Sequence, residues 1–136
     1  MKRTIALLLA LVCLIPFFFS CAEKQKAEEY QQPEQLAFGS YLRSNGSEYN
    51  GFSISLNENG SFSYYESPIS SHIGVGNYTF ENGIVTLIDE QIPTVNGTAT
   101  KTFRFRYTGD SLIFLADISD QFMYIKLPDQ AEFIKN

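Results

Sequence analysis

The chain has 136 residues and carries 15 acidic against 10 basic side chains, which gives a net charge of −5. This length allows one domain with a core of useful size, and the acidic balance argues against a nucleic-acid-binding protein, which needs a basic face. With 2 cysteines and 1 histidine, the sequence also excludes zinc sites that need two histidines and leaves no framework of disulfides.

The first twenty residues have the pattern of a targeting segment and say nothing about the fold. Lys2 and Arg3 precede an apolar run from Ile5 to Phe19, and Ser20 stands directly before Cys21. This pattern resembles the signal of bacterial lipoproteins, in which the cysteine is acylated and becomes the new N-terminus. The resemblance implies a signal peptide at 1–20, lipidation at Cys21 and a cell-membrane protein that faces the extracytoplasmic side.

An uncleaved membrane anchor is the alternative, because the apolar run is near the short limit for a helix that spans a bilayer. Both interpretations place the remaining chain outside the cytoplasmic membrane. Residues 21–35 are polar and poor in branched apolar side chains, which predicts a flexible tether with a reach of about 20 Å.

From residue 36 onward the pattern is all-β, and we predict one antiparallel meander barrel over 36–136. Short apolar–polar alternations separated by Gly, Asn and Asp are typical of a sandwich or a barrel. Three up-and-down pairs with tight turns, at 58–60, 81–83 and 108–110, favour closure into a small barrel of about eight strands. The predicted strands are Phe38–Arg43, Phe52–Leu56, Ser61–Glu66, Gly76–Phe80, Ile84–Asp89, Lys101–Tyr107, Ser111–Ala116 and Gln121–Leu127.

Two segments carry more detailed predictions. In 102–107, three aromatic residues alternate with polar ones, so we expect Phe103, Phe105 and Tyr107 to share one face of a strand. The segment 121–127 is apolar at nearly every position, which predicts a strand covered on both faces. Gly74 and Gly76 are interpreted as turn glycines in a crossing between two hairpins.

Aromatic side chains are abundant and offer a lining for a small apolar ligand inside the barrel. An eight-stranded barrel is only wide enough to hold its own side chains or one small ligand, so core filling is the alternative role. The candidate ligand-binding residues are Tyr64, Tyr78, Phe80, Phe103, Phe105 and Tyr107.

Three other residues are candidates for binding a partner protein. His72 lies in a serine-rich loop, and Arg104 and Arg106 form a short basic stripe on an acidic protein. A solvated strand face, with the arginines paired to acidic residues across the sheet, is the alternative. A hydrolase that uses His72 with Ser70 or Ser71 is the competing enzymatic hypothesis.

We expect no cofactor and no catalytic set. Acidic residues occur near Asp117, Asp120 and Asp129 and at Asp89–Glu90, but none has the loop spacing of a calcium site. With the cysteines assigned to the signal and to lipidation, no thiol nucleophile is available.

A resemblance adds to these predictions. The chain is similar to a small β-rich module in the segment Ser70 to Tyr78, in the turn Glu81-Asn82-Gly83, and later in Phe105 with Gly109-Asp110-Ser111-Leu112-Ile113-Phe114. That module occurs in Firmicute lipoproteins and at the extracytoplasmic end of some beta-lactam-sensor-type membrane metallopeptidases. The resemblance covers about 52–117 and implies no proteolytic role, since the peptidase and its zinc-binding helix are absent. In overall shape the predicted domain also resembles the small lipocalin-like barrels of lipoproteins.

Together these observations predict a monomeric, membrane-anchored binding or sensing module without catalytic activity. Its ligand would be a small apolar molecule in the barrel or an envelope protein at its surface. A purely structural envelope component and the small hydrolase relying on His72 are the alternatives.

Overall fold

The computed structural model of the protein describes residues 33–44, 51–68 and 70–136. The predicted signal peptide, the lipidation site Cys21 and nearly all of the predicted tether lie outside these residues. In the part of the chain described, no helix has the length and apolar character needed to cross a membrane.

Eight strands and one short 3-10 turn make up the fold. The strands are β1 Gly39–Arg43, β2 Ser53–Leu56, β3 Ser61–Tyr65, β4 Ile73–Glu81, β5 Ile84–Thr94, β6 Gly97–Tyr107, β7 Ser111–Phe114 and β8 Glu132–Lys135, and the 3-10 turn spans Ala116–Ile118.

Each strand pairs antiparallel with the next, and β8 pairs with β1, which closes the sheet into a barrel. Tyr41 lies opposite Lys135 and Leu42 opposite Ile134 at this closing seam. The predicted all-β fold, a meander of eight antiparallel strands in a closed barrel, is confirmed. Closure leaves the body of the sheet without a free edge.

One predicted strand is wrong. Residues 121–127 form no strand, and the eighth strand is Glu132–Lys135 instead. The apolar run in 121–127 crosses the end of the barrel, and the backbone N–H groups of Met123, Tyr124 and Ile125 donate to a side-chain carboxylate rather than to a neighbouring strand. The apolar run at 121–127 is therefore explained by a segment that fills the end of the barrel, not by a strand that is covered on both faces.

Gly74 and Gly76 are not turn glycines, because both lie inside β4. A Cβ atom on Gly74 would stand 2.0 Å from the ring of Tyr64, and one on Gly76 would stand 2.1 Å from the carbonyl oxygen of Ile88. The two glycines thus make room for a neighbouring ring and a neighbouring backbone.

The turn between β4 and β5 has the geometry that its sequence predicts. Asn82 has a φ of 51° and Gly83 a φ of 73°, as expected for an Asn-Gly turn with positive φ at both central residues. Gly60 and Gly109, in the turns after β2 and β6, also have positive φ.

The barrel interior is filled largely by aromatic side chains. Phe103, Phe105 and Tyr107 are buried from one face of β6, as predicted. Phe105 contacts Phe133 edge to face, with ring centroids 5.8 Å apart, and Phe133 contacts Phe52 at 5.0 Å. Such pairs add about 0.5–1.5 kcal/mol each beyond the area they bury.

The two ends of the barrel differ. The entry end carries the incoming chain before β1, the three tight turns after β2, β4 and β6, and the residues after β8. The far end carries the connections β1–β2, β3–β4, β5–β6 and β7–β8. We use these two names below.

Candidate functional site at the far end of the barrel

A crossing segment, residues 121–127, closes the far end. Its side chains Phe122, Ile125 and Leu127 are buried in the core. The ring of Phe122 stacks on Phe103 with centroids 3.9 Å apart and planes 5° from parallel. Through Phe122, a segment without regular secondary structure contributes an aromatic ring to the core.

The carboxylate of Glu66 holds the crossing segment in place. Glu66 follows β3 and is fully buried. Its Oε1 accepts the N–H of Met123 at 3.1 Å, and its Oε2 accepts those of Tyr124 at 2.7 Å and Ile125 at 3.0 Å. Hydrogen bonds to a charged acceptor are stronger than those between neutral groups, so one side chain replaces the missing strand ladder.

A second buried acid is bound to a tyrosine. The hydroxyl of Tyr64 donates to Oδ2 of Asp89 at 3.0 Å, and the N–H of Gln91 donates to Oδ1 at 2.9 Å. Burial, followed by the negative charge of Asp89 and the hydrogen bond to it, raises the pKa of Tyr64 far above its ordinary value. Asp89 also stands at a β-bulge, because the register with β6 shifts between Asp89 and Ile92.

His72 lies between this pair and the crossing segment. Its ring centroid is 6.3 Å from that of Tyr64 and 6.4 Å from that of Tyr124. Among the residues described, His72 Nε2 and Gln121 Oε1 are buried without a hydrogen-bond partner, which is rare in folded proteins. The hydroxyl of Ser70 accepts the backbone N–H of His72 at 3.1 Å, so it is engaged by the backbone rather than by the imidazole.

Beyond Asp89, β5 and β6 continue as a two-stranded ribbon, residues 90–100. The last pair between β4 and β5 joins Asn77 to Ile88, whereas β5 and β6 stay paired as far as Thr94 and Gly97. Val95, at the tip, is 100% exposed. The ribbon therefore projects from the far end, and Ile92 alone anchors it by a buried side chain.

The four most exposed large apolar side chains of the described residues belong to this end of the barrel, whereas the less exposed ones, Phe38, Leu42, Val75 and Ile134, lie before β1 or on the strands. Tyr124 and Ile73 are each 58% exposed, and Ile118 is 48% exposed. With Val95 they come from four different segments: the crossing segment, the start of β4, the 3-10 turn and the ribbon tip. Large exposed apolar surface marks interaction sites, whereas single scattered apolar side chains are normal on a protein surface.

The six predicted ligand-binding residues are divided between the two ends. Tyr64 and Phe103 lie beneath the crossing segment, in contact with Phe122 at centroid distances of 5.0 and 3.9 Å. Tyr78 and Phe80 lie toward the entry end, where the Tyr78 hydroxyl donates to the carbonyl of Asn57 at 2.7 Å. Phe105 and Tyr107 pack in the middle of the core and toward the entry end, with Tyr107 5.6 Å from Phe80.

The predicted partner-binding arginines contact their own chain. Arg104 Nη1 donates to the carbonyl of Ile118, and Arg106 Nη2 donates to Oε1 of Gln130 at 2.8 Å. Lys101 Nζ donates to the carbonyl of Gln121 at 2.6 Å. The basic side chains of β6 thus hold the segment that joins β7 to β8, and His72 lies apart from Arg104 and Arg106, between β3 and the crossing segment.

The acidic candidates have structural contacts as well. Asp120 accepts the N–H of Thr102 at 2.8 Å, and Asp129 accepts that of Ala116 at 3.0 Å. The hydrogen bond from Ala116 is the main reason why the pKa of Asp129 is lowered. The residues that the structure describes contain no group of three or more His, Cys, Asp or Glu that could hold a metal ion.

Two surface depressions lie away from the aromatic interior. One, of about 260 Å³, lies at the far end between Arg43 and Gln130, and the other, of about 330 Å³, lies at the entry end between Pro33 and Phe80. Of the six predicted ligand-binding residues, only Phe80 lines either of them.

Sequence reasoning missed the two buried acids of this site. From sequence, Glu66 is only the last residue of the predicted strand Ser61–Glu66, and Asp89 is only one of the acidic residues weighed as a calcium ligand. The contacts of Glu66 join residues 57 to 59 positions apart, and no local pattern reveals such a pairing. The one available signal was the apolar segment 121–127, which needed a polar partner for its backbone.

Comparison with known proteins adds no relative. No family model, no curated protein and no solved structure matches the chain.

Proposed function

We propose that the chain is an extracytoplasmic lipoprotein, anchored to the cell membrane through Cys21, whose barrel is a non-catalytic binding or sensing module for a partner protein. The charged, apolar and small-residue pattern of 1–20 supports the anchor. The likeness of 52–117 to modules of Firmicute lipoproteins belongs to the same proposal.

The observation that carries the proposal is the distribution of exposed apolar side chains. The chain enters the barrel at one end, while Val95, Tyr124, Ile73 and Ile118 are exposed at the other. A tether attached at the entry end leaves the far end accessible to a partner. Exposed apolar surface at the end away from the tether is what a docking partner would cover.

A photo-cross-linking experiment in the bacterium that encodes the protein tests this proposal. A benzophenone amino acid at Tyr124 should give one adduct of defined mass, and the same amino acid at Thr79, on the wall of the barrel, should not. The adduct should disappear in an Ile73→Asp variant, because Ile73 is exposed and its replacement leaves the core intact. Equal adducts at both positions, or none at either, would contradict the proposal.

The anchor has its own test. A Cys21→Ser variant of the full chain should leave the membrane fraction if acylation holds the protein there. Firm retention of the variant would favour the uncleaved helix.

A small apolar ligand is the other candidate, and native mass spectrometry of residues 22–136 tests it. A ligand beneath the crossing segment would occupy the place of Phe122, whose ring contacts Phe52, Tyr64, Phe103 and Phe114. An extra mass that is lost on denaturation would support the ligand, and a clean apo mass would favour the protein partner.

A further inference from the structure

The outer edge of β6 is paired along part of its length and open beyond it. The carbonyl of Arg104 accepts the N–H of Leu115 at 3.0 Å, and the carbonyl of Thr102 accepts that of Asp120 at 2.8 Å. The N–H groups of Arg104 and Thr102 donate to Ser119 Oγ and Asp120 Oδ2, both at 2.8 Å. The segment 115–120 therefore covers this edge up to Thr102.

Beyond Thr102 the same edge continues into the ribbon. Backbone groups alternate in direction along a strand, so Thr100 and Thr98 present their N–H and C=O groups on the side where Thr102 and Arg104 do. Both residues are exposed. Within the described ranges, no strand and no side chain is paired with this part of the edge.

The opposite edge of the ribbon is protected against strand pairing. Pro93 lies opposite Thr98, next to the Thr94–Gly97 pair that closes the turn. The missing N–H of Pro93 therefore belongs to the β5 edge, and the bulge at Asp89–Ile92 distorts the same edge. Proline and bulges are devices that keep edges from pairing. The β6 edge has neither.

The ribbon carries almost no charge along its open edge, whereas acidic side chains lie in the covering segment next to it. Apart from Glu90, at the bulge, the ribbon contains no charged residue, although the protein as a whole is acidic. Asp120, where the covering segment stops, and Asp117, in the 3-10 turn within that segment, are exposed. Arg104, on the same stretch of β6, donates to the carbonyl of Ile118, and no ion pair between described residues joins it to either acid.

We propose that an extended segment of a partner protein adds as a strand to the β6 edge at Thr98–Thr100, and that a Lys or Arg at the end of this segment meets Asp117 and Asp120. The inference rests on the proposed function and names the partner's chemistry: uncharged, β-prone residues flanked by a cation. Backbone hydrogen bonds give the affinity in this mode of recognition, and the two carboxylates select the flanking charge.

NMR titration of the domain, residues 22–136, with a synthetic peptide tests the proposal. The probe is a seven-residue peptide of alternating Thr and Val between two terminal Lys residues. We expect shifts and slower hydrogen exchange at the amides of Thr98 and Thr100. A peptide N-methylated at alternate positions, which keeps the side chains and loses the donors, should bind at least about tenfold more weakly.

Two variants separate the backbone from the side chain. Thr100→Pro removes a donor that faces the open edge and leaves the pairing with β5 intact, so we expect at least about a fivefold loss of affinity. Thr100→Ala, the matched control, keeps the donor and should bind as the parent does. Unchanged spectra of the barrel amides show that either variant is folded.

The flanking charge is tested with Asp117→Asn. At low salt, the Lys-ended peptide should bind the parent at least threefold more tightly than a Glu-ended peptide, and the substitution should reduce this preference. Shifts confined to the Pro93 edge, or no shifts, would overturn the strand-addition proposal. So would concentration-dependent dimerisation of the free domain, because a second copy would then occupy the edge. A specific cross-link at Tyr124 without shifts at Thr98 and Thr100 would leave the proposed function standing and reject this inference alone.

Discussion

The two ends of the barrel are closed in different ways. At the entry end, tight turns reverse the chain, and Gly60, Asn82, Gly83 and Gly109 supply the positive φ values that the turns need. At the far end, a segment crosses the opening and is bound by Glu66, more than fifty residues away in sequence. Local conformation thus closes one end, and buried side chains close the other.

The largest change in the free energy of unfolding is expected where β4 and β5 separate, at the border between the two ends. In a Gly76→Ala variant, the new Cβ would stand 2.1 Å from the carbonyl oxygen of Ile88, so a backbone must move. Overpacking typically costs about 1–3 kcal/mol and occasionally more, and we expect this variant at or above the upper end because the atom that is met belongs to the backbone. Urea unfolding followed by circular dichroism should show that loss, whereas Thr79→Ala, on the exposed face of the same strand, should change the free energy of unfolding little.

The next largest effect concerns the hydrogen bonds by which Glu66 holds the crossing segment at the far end. Glu66→Ala leaves three backbone N–H groups without their acceptor, and we expect a loss of about 3 kcal/mol. Hydrogen exchange should accelerate at Met123, Tyr124 and Ile125 before it does in the strands. Glu81→Ala, an exposed acid at the end of β4, is the matched control. A loss below about 1 kcal/mol for Glu66→Ala would mean that the aromatic contacts of Phe122 alone hold the segment.

A pair of tyrosine variants compares the two ends with the same chemical change. Tyr64→Phe removes a donor from the buried carboxylate of Asp89, whereas Tyr41→Phe removes a donor from the carbonyl of Ala37 at the entry end. We expect losses of about 2 and 1 kcal/mol, because hydrogen bonds to charged groups contribute more. Equal losses would show that Asp89 finds another donor.

The same tyrosines predict alkaline unfolding. Burial raises the pKa of both Tyr41 and Tyr64 well above 10.0. A raised pKa in the folded state contributes stability that is complete below the unfolded value and falls as the pH rises above it. We therefore expect the melting temperature to fall steadily above about pH 10, and tyrosinate absorbance to appear together with the loss of structure. Tyrosinate formation of all eight tyrosines in a still folded protein would contradict this.

The smallest predicted effect is a loss of stability at low pH. The hydrogen bond from Ala116 lowers the pKa of Asp129, so its contribution to stability is present above the unfolded pKa near 3.8 and is lost as the pH falls through the lower folded value. An Asp129→Asn variant should melt below the parent at pH 6, and the difference should shrink toward pH 2.5. A constant difference would show that packing, not charge, is responsible.

The entry end could be predicted from sequence because its signals are local. Asn82-Gly83 specified its own turn, and the alternation in 102–107 specified which side chains of β6 are buried. The far end could not, because an apolar run such as 121–127 looks alike in a buried strand and in a plug. Whether such a run forms a strand or a crossing segment depends on the position of Glu66 in the folded barrel. The roles of Gly74 and Gly76 likewise depend on a ring and a backbone that other strands contribute.

The seam between β1 and β8 has a consequence for the order in which the protein folds. It joins Tyr41 to Lys135, about 90 residues apart, and contacts between such distant residues make folding slow. A chain that emerges N-terminus first carries an unclosed sheet until its last strand is free. During that interval the edge of β1 is exposed to other chains, so a slow arrival of β8 raises the risk of aggregation before the barrel is complete.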